Sequence, residues 1–194
     1  RSHSRSNGHD LNVGFNYSDD TWMFNASLGV TPQKRTIDRK VGKLYADTTM
    51  RTIDYQPMIW LSWRKKKMRV SLNYNGRTRQ PSLSDLMPLT DNSDPLYITR
   101  GNPDLKQMFM HTMHVSFQHP SKGISANLGW QMEKNSVTQV VLYDVQTGGR
   151  EIYPININGN WNTYGSADWW KRFGHFSLKL STSGRHSNLS LIHI

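Results

Sequence analysis

The eight histidines and three spaced aspartates are the residues of this chain with the most evident chemistry. His111 and His114 (HTMH) lie three apart. On an extended strand that spacing sends the two rings to opposite faces, and the same holds for His114 and His119. Neither pair has a carboxylate at useful spacing, and no HExxH helix is present. The reading is isolated polar or interfacial histidines, with no metal site. Asp91, Asp94 and Asp104 could offer carboxylate oxygens to a hard cation, but they sit among Asn and Pro, as turn formers do. A G-x-S-x-G elbow, a phosphate-cradling P-loop and a dinucleotide fingerprint are all missing. We therefore expect no enzyme and no cofactor.

Charge offers a second chemistry. Lys and Arg number 24 against 14 Asp and Glu, a net +10. A nucleic-acid partner would want basic and aromatic residues interleaved. Here the charges scatter, apart from "RKKKMR" (Arg64–Arg69), and the aromatics fall elsewhere. Basic turns on a sheet account for the balance, and no nucleic acid is expected.

The elements that carry these residues are strands. Only 36% of residues are hydrophobic, yet 7 Trp, 8 Tyr and 6 Phe are present, and mean hydropathy is −0.68. Leu11, Val13, Phe15 and Tyr17 alternate with Asn12, Gly14, Asn16 and Ser18, the period-2 signature of a strand with one wet face. The pattern recurs at Trp22–Val30, Tyr55–Trp63, Met68–Tyr74, Phe109–Phe117 and Ile124–Met132. A seventh face carries Ile155, Ile157, Trp161, Ala167 and Trp169, and an eighth Phe176, Leu178 and Leu180. Pro57 is a local objection, since it cannot donate to a ladder. No run of 18 apolar residues exists, which excludes a membrane helix but not barrel strands, whose hydropathy averages out along each strand.

Connections alternate in length. Ser18–Thr21, Lys65–Lys67, Pro120–Gly123 and Lys171–Gly174 are short; Thr31–Met50 and Gln80–Gln107 are long. The sixth and seventh strands run past one membrane thickness and meet near "QTGG" (Gln146–Gly149). Short and long ends therefore fall on opposite edges, as in outer-membrane barrels with tight periplasmic turns and longer extracellular loops. Trp22, Trp63, Trp169, Trp170, Phe117 and Phe173 cluster at the short-turn edge, where an interfacial girdle would lie. The fold expected is all-β: an antiparallel transmembrane β-barrel fragment of about eight strands.

Within the longest connection, "TDNSDPLYITRGNPDL" (Thr90–Leu105) holds two prolines, a glycine and five Asn or Asp. Asn and Asp bond their own backbone two residues on, and Pro fixes φ, so folded turns are expected. The longer stretch "RQPSLSDLMPLTDNSDPLYITRGNPDLKQ" (Arg79–Gln107) resembles a signature of TonB-dependent outer-membrane receptors. The matching parts are "PSLSDLMP" (Pro81–Pro88), "DNSDPL" (Asp91–Leu96) and "GNPDLK" (Gly101–Lys106). "SVTQVVLYD" (Ser136–Asp144) and "NINGNW" (Asn156–Trp161) are similar to the same family more loosely.

The resemblance implies a Gram-negative outer-membrane location and import of an extracellular ligand (siderophore, cofactor or glycan). It also implies an N-terminal plug domain elsewhere in the full-length protein and a TonB energising complex as partner. Such barrels have about 22 strands, so residues 1–188 read as a partial barrel domain in contact with outer-membrane lipid. "LSLIHI" (Leu189–Ile194) reads as a non-native tail. Loop candidates for ligand contact are Asp91, Asn92, Asp94, Tyr97, Arg100, Asn102 and Asp104; the ligand itself is unknown. A passive porin-like or surface-binding barrel, and a soluble all-β carbohydrate-binding or adhesion module, are the alternatives.

Overall fold

The computed structural model describes residues 2–41, 44–87, 90–94, 96–146 and 148–189; at 2–4, 37–41, 44–48, 83 and 91–93 it describes backbone only. Among the described residues thirteen strands run in the order β1 (Ser2–Gly8), β2 (Leu11–Ser18), β3 (Trp22–Val41), β4 (Leu44–Lys65), β5 (Met68–Arg79), β6 (Thr90–Asp94), β7 (Tyr97–Arg100), β8 (Met108–His119), β9 (Ile124–Lys134), β10 (Ser136–Tyr143), β11 (Arg150–Ile157), β12 (Asn160–Phe173) and β13 (Phe176–Asn188). A one-turn helix, α1 (Leu83–Leu86), precedes β6. No helix is long and apolar enough to cross a membrane among the described residues.

The main sheet is an antiparallel meander, β1/β2-β3-β4-β5-β8-β9-β12-β13. β1 pairs the far half of β3 and β2 the near half. Together they fill one position, so the sheet has eight positions, as the alternation predicts. Direct cross-strand partners share a face, and one row reads Tyr17, Phe24, Leu61, Leu72, Val115 and Leu128. The adjacent row, on the other face, reads Ser62, Ser71, Ser116, Asn127, Ser166 and Ser183. One face is thus apolar and the other a ladder of hydroxyls and amides. Ser71 and Ser116 hydroxyls meet at 2.6 Å, and Asn127 Nδ2 donates to Ser166 Oγ at 3.4 Å.

Side-chain burial is arranged for a membrane rather than for water. Leu128 is 52% exposed and Leu28 45%, in the middle of an otherwise regular sheet. A water-soluble protein would cover such a face; lipid covers it in a barrel wall. β2 and β13 are exposed at every residue, so each lacks a neighbour on its outer side. On the polar face Tyr164 lies over Gly129, where an added Cβ would come within 2.2 Å of two ring atoms. The ring covers the strand's glycine and stands 6.4 Å from the His114 ring, a cross-strand rescue that keeps β9 paired despite its missing side chain.

Proline 57 finds a local solution. The β4–β5 register ends at Met58↔Asn75, one residue before Pro57 would need a donor. Beyond it the Thr78 hydroxyl takes over, accepting from Tyr55 N at 2.8 Å and donating to Tyr55 O at 3.2 Å.

Two expectations change. Within the connection Thr31–Met50, Thr31–Val41 and Leu44–Met50 are strand rather than loop: β3 and β4 pair from Trp22↔Trp63 to Val41↔Leu44. The seventh face is two strands. β10 and β11 do continue β9 and β12 and turn at Asp144–Gly149, but they leave the main sheet and join β7 and β6 in a four-stranded sheet, β10-β11-β7-β6. The breaks fall at Asn135 (φ 56°) and Gly159 (φ 97°). Left-handed residues at both points turn the pair out of the wall.

At the short-turn edge Asp19 closes the β2–β3 turn. Its Oδ1 accepts from Thr21 N and Trp22 N at 2.7 and 2.6 Å, and its Oδ2 accepts from the Tyr17 hydroxyl at 2.6 Å. The Tyr17 hydrogen bond, with the two amides, holds the Asp19 carboxyl below the usual carboxylate range. Trp22 and Trp63 stand opposite each other in register, rings 6.3 Å apart, with Val70 and Phe117 continuing the same row. Of the expected girdle residues, Trp22, Trp63 and Phe117 share this row, Trp169 and Phe173 lie on the same face nearer the β12–β13 turn, and Trp170 lies on the other face.

Candidate functional site

The signature segment folds as a cap on the long-strand edge of the wall. Ser82 starts α1, its Oγ accepting from Asp85 N at 3.2 Å. After α1 the chain forms the β6–β7 hairpin, and Asp94 Oδ1 accepts from Leu96 N at 2.9 Å in the tight turn. β7 then pairs in parallel with β11. Buried apolar side chains among the described residues are few: Leu86, Met87, Leu105, Val140 and Ile157. They lie in the cap or in β10 and β11. The water-excluded core of this chain is under the cap.

Two asparagines fasten it. Asn102 N donates to Asp85 O at 2.5 Å, its Nδ2 donates to Pro154 O at 3.0 Å, and its Oδ1 accepts from Asp104 N at 3.0 Å. Asn156 on β11 clasps the backbone of Lys106, accepting from its N at 2.7 Å and donating to its O at 3.0 Å, and donates also to Asn135 O at 2.8 Å. Below them Gln107 Nε2 donates to Ile53 O at 3.1 Å while its Oε1 accepts from Gln80 Nε2 at 2.9 Å. Gln80 also donates to Asp54, whose other oxygen accepts from Gln33 at 2.6 Å. This chain of amides joins cap to wall on the polar face.

Arginines cross the small sheet. Arg100 Nε binds Glu151 Oε1 at 2.7 Å and its guanidinium lies 4.9 Å from the Tyr153 ring centre. Arg150 lies 5.6 Å over Tyr97. Register puts Arg150 beside Tyr97 and Glu151 beside Ile98, so the two stacks occupy opposite faces. Beneath α1 a cleft of about 550 Å³ opens on the polar face, lined by Arg35, Arg79, Gln80, Asp85, Glu133 and Ser136 among others. Its groups are hydrogen-bonding and mixed in charge, suited to a polar solute rather than an apolar one.

The sequence candidates divide accordingly. Tyr97 and Arg100 come within one small sheet but on opposite faces. Asn102 and Asp94 are spent on turn and docking bonds, and Asp104 is held by its backbone N–H. Asp91 and Asn92 belong to β6 by backbone, and their side chains lie outside the described residues. Sequence reasoning missed Glu151, Tyr153, Asn156 and Gln80; the looser likeness at "NINGNW" touches Asn156 but does not mark its role. The histidines separate as their spacing predicts. His111 Nδ1 meets the Tyr74 hydroxyl at 3.0 Å, while His114 pairs on the other face with Asn73 and Gly129. No three His or carboxylate groups among the described residues gather to hold a metal.

An alternating wall with an apolar outer face, a girdle row and a long-strand edge is what a membrane barrel requires. Residues 16–189 match the outer membrane protein beta-barrel family. The chain belongs to that family. Its place is the cell outer membrane, and the reading as a soluble all-β module falls. Solved structures share the fold: the siderophore receptor PirA from Pseudomonas aeruginosa aligns with TM-score 0.51 at 13% identity, covering 95% of this chain and 44% of that one. PirA from Acinetobacter baumannii aligns with TM-score 0.51 at 8% identity, covering 94% and 36%. The chain thus spans less than half the length of either receptor. Among curated proteins no sequence match is found.

Proposed function

We propose that this chain is part of the barrel of a TonB-dependent outer-membrane receptor, a non-enzymatic transporter that binds and imports an extracellular ligand. The observation that carries the reading is the fate of the signature segment. Arg79–Gln107 is fastened to β11 through Asn102 and Asn156 and to wall strand β4 through Gln107, above a polar cleft on the face opposite the lipid-type surface. A cap held so firmly suits a vestibule that must present a fixed surface to a scarce ligand.

The rest of the machinery follows from the same reading. β1/β2 and β13 would pair with further strands, since about 22 enclose a plugged lumen. An N-terminal plug domain would fill that lumen and touch the TonB energising complex. The ligand class stays open among siderophore, cofactor and glycan.

The competing reading is a passive pore, which the continuous Ser and Asn ladder would equally suit. Planar-bilayer recording of the purified full-length protein separates them. A plugged receptor should leave the membrane at its bare conductance and bind the periplasmic domain of the TonB protein in pull-down. Steady open channels without that binding would overturn the proposal.

A further inference from the structure

We propose that the short-turn rim of this wall is a binding surface for anionic phospholipid headgroups. The inference rests on the membrane placement and is independent of energised import. Two clefts of about 260 and 520 Å³ lie between the short turns and share Pro120. Arg64, Lys66, Lys67 and Arg69 line the first; Lys122, Lys171 and Arg172 line the second. No carboxylate lines either. Solvated turns ordinarily mix both signs of charge, so seven cations without an acid call for a counter-charge.

Three observations say what supplies it. First, none of the seven belongs to an ion pair among the described residues, where the pairs are Arg100–Glu151 and Lys179–Asp168. The rim's acidic turn, Asp19–Asp20, adjoins Arg64 through the Arg64 N to Thr21 O bond, but it lines neither cleft, and Asp19 is already engaged by Tyr17 and two amides. Second, Lys66 occupies a left-handed position (φ 53°). Gly or Asn would adopt that turn more cheaply, so the sequence keeps a cation at the tip against local preference. Third, Trp169 and Trp170 form part of the second cleft, and Trp22 and Trp63 stand in the girdle row beside the first. Indole rings seek the headgroup level of a bilayer, which sets the turn and lipid-face cations Lys66, Lys67, Lys122 and Lys171 where lipid phosphates lie, while Arg64, Arg69 and Arg172 share the register of the polar face. A phosphate accepts hydrogen bonds from ammonium and guanidinium groups together, and juxtamembrane basic clusters attract anionic lipid.

The test uses the full-length protein in vesicles with spin-labelled phosphatidylglycerol or phosphatidylcholine, reading the lipid held at the protein boundary. Preference for phosphatidylglycerol should be on the order of several-fold at low salt and shrink as salt rises. It should vanish in the combined variant Lys66→Gln, Lys67→Gln, Lys122→Gln, Lys171→Gln, and survive when the same four are changed to Arg. The Arg variant separates lost charge from lost folding. Equal retention of both lipids by the unmodified protein would overturn the proposal, as would a preference that persists in the Gln variant. Inorganic phosphate at matched ionic strength should leave the labelled lipid in place; displacement would assign the clefts to a free anion and also overturn it.

Discussion

Replacing Gly101 with valine in the full-length protein is expected to undock the cap while leaving the barrel wall intact. A Cβ at Gly101 would sit 1.9 Å from Met87 O and 3.0 Å from Asp85 O. Both are backbone atoms, so no side chain can swing aside. The next residue, Asn102, donates its N–H to Asp85 O, and moving Gly101 outward breaks that bond and the Asn102 links to Pro154. Overpacking of this kind costs about 1–3 kcal/mol or more, and the lost hydrogen bonds add to it. Limited proteolysis should show new cleavage between Thr90 and Leu105, with the heat-induced unfolding of the wall little changed. Protection equal to the unmodified protein would mean that the cap is not held through this contact.

Asn156→Ala should come next in effect. One amide satisfies Lys106 N, Lys106 O and Asn135 O, and alanine leaves all three without that partner. Hydrogen bonds at such exposed or half-buried groups contribute roughly 0.5–1.5 kcal/mol net each. Water reaches part of this half-buried site, so a total of about 3 kcal/mol is expected. Hydrogen exchange at the Lys106 amide should accelerate by about two orders of magnitude or more, each 1.4 kcal/mol being tenfold. Asn156→Asp keeps the acceptor for Lys106 N and loses the donor, so it should fall between. An unchanged exchange rate in the alanine variant would remove Asn156 from the docking.

The strands were legible wherever the wall separates lipid from lumen. There each side chain must match one of two media, and the period of 2 at Leu11–Ser18 or Met68–Asn75 records that demand. Legibility ended where both faces are wet. Beyond Val30 the chain reads "TPQKRTIDRK", polar at nearly every position, yet β3 still pairs residue by residue with β4. Backbone hydrogen bonds do not require an apolar face, so strand outlasted its signal.

The small sheet was hidden for a different reason. "VTQVVLY" in β10 is rich in β-branched and aromatic residues, so composition alone extends β9 through it. What diverts it is a left-handed residue at Asn135, whose amide and carbonyl are held by Asn158 and Asn156. Those partners come from more than twenty residues away. The cap was legible as turn chemistry at Asp94 and Asn102, since such bonds are local. Its long-range bonds were not: Arg100 to Glu151, Asn102 to Pro154 and Asn156 to Lys106 each span about fifty residues.

As a barrel wall, β5 and its neighbours cross the outer membrane with one face in lipid and the other in the lumen. The chain has no cysteine, which makes single-cysteine spin labels at Val70 through Asn75 unambiguous within it. In the full-length protein embedded in bilayers, labels at Val70, Leu72 and Tyr74 should collide preferentially with oxygen, which concentrates in lipid. Labels at Ser71, Asn73 and Asn75 should collide preferentially with a water-soluble nickel chelate. Alternation of that phase is the predicted result; equal nickel access at all six positions would contradict it.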